Sequence, residues 1–387
     1  LKPADLRGAA RLATDATVGL ADLVEAMHER IARLPGVPPP AQAGRTRGVT
    51  GLVYRTVRGV TRLVGGSIDG LLGLLTPALA PPGPAPAALP GAEREALVAA
   101  LNGVLGDHLA ARSNPLATPM ALRRGGHPLV LERDALRASV PDAGPRLLVL
   151  VHGLCMNDRQ WQRDGHDHGA ALARDAGWTA VYLHYNTGLP IAANGLALAS
   201  LLQRLLEQWP QPVQRLALLG HSMGGLVARR AVHEANAAAL AWPARLGDLV
   251  FLGTPHHGAP LEGAGHTIDA LLGATPYSAP LARLTRLRSA GINDLRRPAL
   301  SGAVPAALPA GVRCSTVAAT LGAAGGGLKG RLLGDGLVPL ASALGRHRDA
   351  QRRLAFDADR QCVVPDTHHL GLLSSTVVYD QLRRWLG

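Results

Sequence analysis

Ser222 sits in Gly220-His221-Ser222-Met223-Gly224-Gly225, directly behind the apolar run Arg215-Leu216-Ala217-Leu218-Leu219. A serine at a sharp strand-to-helix turn has its hydroxyl held out above a sheet, and the strained turn needs glycines on either side because side chains do not fit there. Serine is a weak nucleophile at neutral pH, so it needs a base, and the base needs an acid to orient it. In this strand-turn-helix arrangement the partners follow in the order serine, acid, histidine. The chain supplies Asp335 in Gly334-Asp335-Gly336-Leu337-Val338-Pro339, then His368 and His369 in Asp366-Thr367-His368-His369-Leu370-Gly371-Leu372-Leu373. His369 is the expected base, because the leucines behind it anchor the end of its loop; His368 is the alternative. An acyl intermediate also needs backbone donors for its oxyanion, and Met223 and Leu154 stand where they are expected: just after the serine, and in Val151-His152-Gly153-Leu154 behind an earlier apolar run.

Elements that could position these groups follow from the periodicity. Short apolar runs at Leu147–Val151, Ala180–Leu183, Leu216–Leu219, Leu249–Leu252, Cys314–Ala319 and Cys362–Val364 alternate with helical patterns or long connections. That alternation predicts a mostly parallel sheet with helices on both faces. Leu122–Arg124 and Pro128–Glu132 add expected antiparallel edge strands. Residues 1–118 read differently, as an N-terminal helical region with proline-rich linkers: one helix from about Leu6, a second over Val49–Leu75 and a third over Glu93–Ala111. Residues 119–387 form the expected catalytic domain. Leucine- and alanine-rich stretches at 261–310 interrupt it as an expected apolar cap, able to shield an acyl chain and exclude water.

The second N-terminal helix places Leu52, Val53, Val57, Val60, Val64, Leu71 and Leu75 on one side and Arg55, Arg58 and Arg62 on another. Its apolar side must be covered, either by docking on the rest of the chain or by contact with a lipid surface. The charges in this segment argue against a membrane span.

The formal net charge of +12 comes almost wholly from arginine. Aromatic residues make up only 3% of the chain, so basic clusters interleaved with aromatics are absent and no nucleic-acid partner is expected. The three cysteines show no metal-ligand spacing, and a Cys314–Cys362 disulfide is the less favoured alternative to free core thiols. Cys155 has no evident base beside it. His166 and His168 are expected to cap the helix from Ala170. The chain opens on Leu1 rather than methionine, so a cytoplasmic location and secretion after removal of a signal segment both stay open. The oligomeric state is open too.

Taken together, Leu150-Val151-His152-Gly153-Leu154, the Ser222 turn, Gly253-Thr254-Pro255-His256-His257-Gly258, the Asp335 turn and His369-Leu370 resemble the α/β-hydrolase superfamily. The likeness is greatest to the bacterial lipase and esterase branch and related deacylases. It covers roughly residues 119–387 and says nothing about residues 1–118. It implies an α/β-hydrolase fold with a mostly parallel sheet, a helical cap insertion and an N-terminal helical extension. It also implies cleavage of apolar carboxylic esters or lipids through an acyl-enzyme with no cofactor, and a rim shaped by His256 and His257. Where calcium-dependent bacterial lipases carry an aspartate two positions after the catalytic histidine, this chain has Gly371, so no structural calcium carries over. The same triad could serve an amidase, a thioesterase, an acyltransferase or a polyester depolymerase, and the scaffold could instead serve a non-catalytic binding protein.

Overall fold

The computed structural model describes residues 3–31, 48–78, 91–258, 289–296, 307–322 and 334–387. Packing separates two compact units, residues 1–88 with 109–117, and residues 89–108 with 118–387.

In the first unit, α1 (Pro3–Ile31) packs along α2 (Gly48–Ala78). Charged pairs lie between these helices, and the apolar side of α2 is exposed over residues 52–64; the side chains of Leu71 and Leu75, expected on the same side, lie outside the described residues. Arg7 Nε and Arg11 Nε both donate to Asp69 Oδ1, at 2.7 and 2.5 Å. Arg58 is buried and pairs with Glu25 and, at 3.2 Å, with Asp22. Leu52, Val53, Val57, Val60, Leu63 and Val64 are exposed, Leu63 to 70%. Arg58 therefore parts from Arg55 and Arg62, which stay exposed.

The second unit starts with α3 (Ala92–Ala111, to residue 108 within this unit) and is built on an eight-stranded sheet in the order β2-β1-β4-β3-β5-β6-β7-β8. The strands are β1 (Ala121–Arg124), β2 (His127–Pro128), β3 (Arg146–Val151), β4 (Thr179–His184), β5 (Arg215–His221), β6 (Leu246–Leu252), β7 (Arg313–Ala319) and β8 (Gln361–Val364). β1 runs antiparallel to β2 and β4, and every pairing from β4 through β8 is parallel. This is the mostly parallel sheet with helices on both faces that the sequence predicts. The expected edge strand at Pro128–Glu132 is shorter than its apolar pattern suggests. Of these residues only Pro128 is in the strand; Leu129 N–H still donates to Leu122 O at 2.8 Å, and the chain then turns into α4 (Arg133–Ser139).

Central strands lack an apolar-polar alternation because both faces are covered. Leu147, Val149, Val151, Leu216 and Leu218 face one core with α6 (Ile191–Gln208) and α7 (Met223–Ala237), represented by Leu198, Leu202 and Leu226. Leu148, Leu150, Ala217 and Leu219 face the other, with Leu172 of α5 (His168–Ala176) and Val378, Leu382 and Trp385 of the last helix, Thr376–Leu386. From β3 the chain first adds β4 on one side, then crosses back to place β5 on the other. Such a reversal opens a crevice at the carboxyl ends of the strands, where ligands of α/β sheets bind. The catalytic candidates of β3 and β5 project from those ends.

The opposite end of the sheet is tied by Asp248, which is 1% exposed. Arg215 Nε and Nη2 donate to its Oδ2 at 3.0 and 2.8 Å, and Arg313 Nε donates to its Oδ1 at 2.9 Å. The pairs link β5, β6 and β7 where their side chains would otherwise leave a buried carboxylate unpaired.

Among the described residues no helix is long and apolar enough to cross a membrane. The cysteines are free; Cys362 lies opposite Val317, three residues beyond Cys314 on β7, which sets the expected alternative of a disulfide aside. Asp248→Ala leaves the two guanidiniums without their shared carboxylate. Since both arginines are partly exposed, the expected loss is about 1–3 kcal/mol in the midpoint-derived stability from denaturant unfolding. An unchanged midpoint would show that this clamp adds nothing.

Candidate active site

Ser222 stands between β5 and α7 with φ 53° and ψ −124°, a conformation that residues with a Cβ rarely adopt. Two interactions hold it there. Ser222 N–H donates to Leu252 O at 2.8 Å, carrying the ladder with β6 one residue beyond the strand, and Gly225 N–H donates to Ser222 O at 3.1 Å. Close approach does the rest: a Cβ on Gly220 would lie 2.5 Å from Gly225 Cα and N, so the strand's end and the helix's first turn pack backbone to backbone. Met223 opens the helix, where the first N–H groups have no acceptor within the helix itself.

The turn after β3 faces this elbow. A Cβ on Gly153 would stand 2.9 Å from Ser222 Cβ. Met156 N–H donates to Gly153 O at 3.4 Å, leaving Leu154 and Cys155 as the central residues of a tight turn, with Cys155 at φ 59°. Positive φ at the third residue is the mark of a type II turn. Both expected oxyanion donors, Leu154 and Met223, thus lie in the segments that meet at Ser222.

Asp335 and His369 are brought together directly. His369 Nδ1 donates to Asp335 Oδ2 at 2.6 Å, and both side chains are buried. The other carboxylate oxygen, Oδ1, accepts from Leu337 N–H at 3.0 Å and Val338 N–H at 2.7 Å, while Asp335 O accepts from His369 N–H at 3.1 Å. The acid is fixed on every side. Its Gly334 has φ 57°, and Gly336 has φ 92°, so both flanking glycines do conformational duty in this turn. His369 also lies against Gly253 at the end of β6, where a Cβ would come within 3.0 Å of the ring. Its remaining nitrogen, Nε2, is buried and has no hydrogen-bond partner among the described residues.

His368 is exposed, and its Nδ1 accepts from Gly371 N–H at 3.1 Å, capping the short helical turn that begins at His369. Adjacent histidines therefore have separate tasks. His221 supports the pair from beneath: its Nε2 donates to His369 O at 3.2 Å and the two rings lie 4.7 Å apart. Burial drives the pKa of His221 well below the usual imidazole value and that of His152 down to about 3. Both stay neutral at physiological pH, and Asp335 meets one imidazole alone.

Several residues differ from the sequence expectation. His256 does not line a rim: it is buried against Phe251, with ring centroids 4.7 Å apart, and accepts a hydrogen bond from Arg229 Nη1 at 3.1 Å. The helix from His168 is capped by Asp167, whose carboxylate accepts from Ala170 N–H at 2.9 Å. His168 instead donates from Nε2 to Leu372 O at 2.9 Å. The expected histidine caps are therefore replaced by an aspartate, whose side-chain oxygen is a preferred acceptor for the free N–H groups of a helix N-terminus. Burial pushes the Cys155 thiol up to about 12, so it is no nucleophile. Tyr185 was missed: its ring stacks on His152 at 4.5 Å and its hydroxyl donates to His152 O at 2.8 Å. The polar run Tyr185-Asn186-Thr187-Gly188 at the end of β4 was its available signal. Most of the expected cap at 261–310 lies outside the described residues; the helix Ala290–Arg296 is described, with Ile292 buried. Among the described residues no group of three or more His, Cys, Asp or Glu could hold a metal ion.

Residues 144–277 match the family of the PGAP1-like alpha/beta domain. The chain is similar in structure to an esterase of Pyrococcus furiosus, with 15% identity and a TM-score of 0.39 over 64% of this chain and 84% of that one. Staphylococcus hyicus lipase gives 12% identity and a TM-score of 0.38 over 63% and 95% of the two chains. A thioesterase of the prodiginine pathway in Streptomyces coelicolor gives 17% and 0.35 over 64% and 91%. Comparison with curated proteins gives no match. The parallel sheet and the family match agree with the resemblance to the α/β-hydrolase superfamily.

The geometry sets an order for substitutions on an ester substrate. His369→Ala should lower kcat by several orders of magnitude and Asp335→Asn by about 10⁴-fold, whereas His368→Ala should stay within a few-fold of wild type. Steady-state kinetics on a chromogenic ester checks the ranking, and a larger loss for His368→Ala would exchange the two roles.

Proposed function

We propose that this α/β-hydrolase superfamily member is a serine carboxylic ester hydrolase, an esterase or lipase acting on apolar esters through an acyl-enzyme. The reading is carried by the 2.6 Å Asp335–His369 hydrogen bond beside a serine held in a strained turn. In this reading Ser222 Oγ attacks the ester carbonyl carbon while His369 Nε2 takes its proton, and the C–O bond to the alcohol breaks as His369 returns that proton to the leaving oxygen. Water then repeats the sequence on the acyl-enzyme, releasing the acid and restoring Ser222. Asp335 holds the imidazole in the tautomer with Nδ1 protonated and stabilises the imidazolium. The N–H groups of Leu154 and Met223 receive the oxyanion. None of these steps calls for a cofactor.

The catalytic domain in this proposal is residues 119–387, with residues 261–310 as its apolar cap. Ser222→Ala should abolish turnover with the fold intact, a loss of several orders of magnitude. The test pairs a series of esters of rising acyl length with a phosphonate probe read by mass spectrometry on the Ser222 peptide. Medium-chain esters should outrun acetate, because each buried methylene adds about 0.8 kcal/mol of binding until the pocket fills. A wild-type protein that neither cleaves esters nor takes the probe at Ser222 would leave the binding-scaffold alternative standing.

We also propose that α2 meets a lipid surface. Its exposed side carries Leu52, Val53, Val57, Val60, Leu63 and Val64, flanked by exposed Arg55 and Arg62, and its only acidic residue, Asp69, is taken up by Arg7 and Arg11 of α1. An apolar strip bordered by cations suits an anionic headgroup layer. Vesicles of anionic lipid at low salt should sediment the full chain, and Leu63→Asp with Val60→Asp should release it. No sedimentation of the wild type would refute the contact.

A further inference from the structure

The tight turn carrying Leu154 is seated on α3, an element outside the hydrolase resemblance. Where α3 passes beneath Cys155, the helix has Gly103: a Cβ there would lie 3.1 Å from both Cys155 Cα and N, and closer still to its sulfur. Glycine is a poor helix residue, so its presence in the middle of α3 answers a packing need. Cys155 is held from a second side as well, its N–H donating to Thr187 Oγ1 at 3.1 Å. Thr187 is in turn fixed within the same unit. Its neighbour Asn186 donates from Nδ2 to Gly106 O of α3 at 2.8 Å and accepts from Gly188 N–H at 3.0 Å. Further along the turn, Arg159 reaches Glu95 of α3 at 2.9 Å. The segment from Gly153 to Arg159 therefore rests on α3 at both of its ends.

We infer that α3 is a positioning element for the oxyanion site, with Gly103 and Thr187 as the residues that set the Leu154 N–H through Cys155. The inference rests on the serine-hydrolase reading. Cys155 N–H lies in the peptide next to the one that carries Leu154 N–H, and the two planes are joined only at Leu154 Cα, so a shift of Cys155 is passed to the donor through the Leu154 backbone angles. Oxyanion donors act only when aimed at where negative charge develops in the transition state. Displacing one alters kcat with little effect on ground-state binding. Positive φ at Cys155 adds to the demand. A non-glycine residue holds that conformation only when its surroundings impose it, and here the close-fitting helix and the Thr187 hydroxyl do so.

The experiment is a set of five variants in the full chain, read by steady-state kinetics on a soluble ester, by the phosphonate probe and by thermal unfolding. Gly103→Ala should lower kcat about 10- to 100-fold while KM stays within about twofold, since a misplaced donor costs catalysis rather than binding. Gly103→Ala combined with Cys155→Ala should have a higher kcat than Gly103→Ala alone, because removing the sulfur relieves the tightest contact of the added methyl while its contacts with the Cys155 backbone remain; Cys155→Ala alone is the reference for the pair. Thr187→Val should lower kcat in the same manner, and Thr187→Ser should not. Gly103→Ala with wild-type kcat, or a failure of Cys155→Ala to raise it in the combined variant, overturns the inference. Should Gly103→Ala not fold, Thr187→Val decides, and an unchanged kcat there overturns it equally. A wild type that the probe does not label at Ser222 sinks the hydrolase reading itself, a result distinct from normal labelling with indifferent variants.

Discussion

The strained backbone at Ser222 is the constraint around which the second unit is arranged. A non-glycine residue at φ 53° is held there only if its neighbours leave no alternative. Here the neighbours are backbone: Gly220 against Gly225 within the elbow, and Gly153 against Ser222 Cβ from the adjoining strand. Bringing three chain segments that close requires β3 and β5 to be paired and in register, with Val151 opposite Gly220. That pairing in turn requires the chain to have crossed from β4 back over β3. The parallel sheet, its two apolar faces and the crevice at its carboxyl end are thus coupled to a single turn.

The acid and the imidazole meet a different demand, that of giving a buried carboxyl group its hydrogen-bond partners. A buried carboxylate without partners is costly, and hydrogen bonds to its charged form offset that cost. Asp335 divides its oxygens, Oδ1 taking two backbone N–H groups and Oδ2 taking His369. The buried imidazoles nearby, His152 and His221, are kept neutral by the same desolvation. One environment therefore holds one hydrogen-bonded carboxyl group, one oriented imidazole and two neutral supports. In the proposed reaction the proton moves at the remaining nitrogen, His369 Nε2.

The first unit has the reverse polarity. Between α1 and α2, part-buried Asp69 pairs with Arg7 and Arg11, and the guanidiniums hold its carboxyl well below the usual carboxylate range. Apolar side chains of α2 face outward. In water such an arrangement forgoes the burial that ordinarily stabilises a helical pair. An apolar environment on the outer side would supply it.

By itself the sequence determined the parts whose physics is local. Glycines around Ser222 and Asp335 announce turns that only a residue without a Cβ tolerates, and the unbroken apolar runs announce strands covered on both faces; these were legible. The tertiary structure alone decided what depends on residues far apart in the chain. It set His369 beside Asp335 and left His368 exposed. It buried His256 in a core where the family resemblance implied a rim, and it turned Arg58 inward toward Glu25 while the apolar residues at 52–64 of the same helix stayed exposed. It also laid α3 beneath Cys155, a contact that a lone glycine in a helical pattern does not disclose. Periodicity records which faces a segment has, but burial and hydrogen-bond partners are set by the segments that come to lie against those faces, and these the chain brings together only on folding.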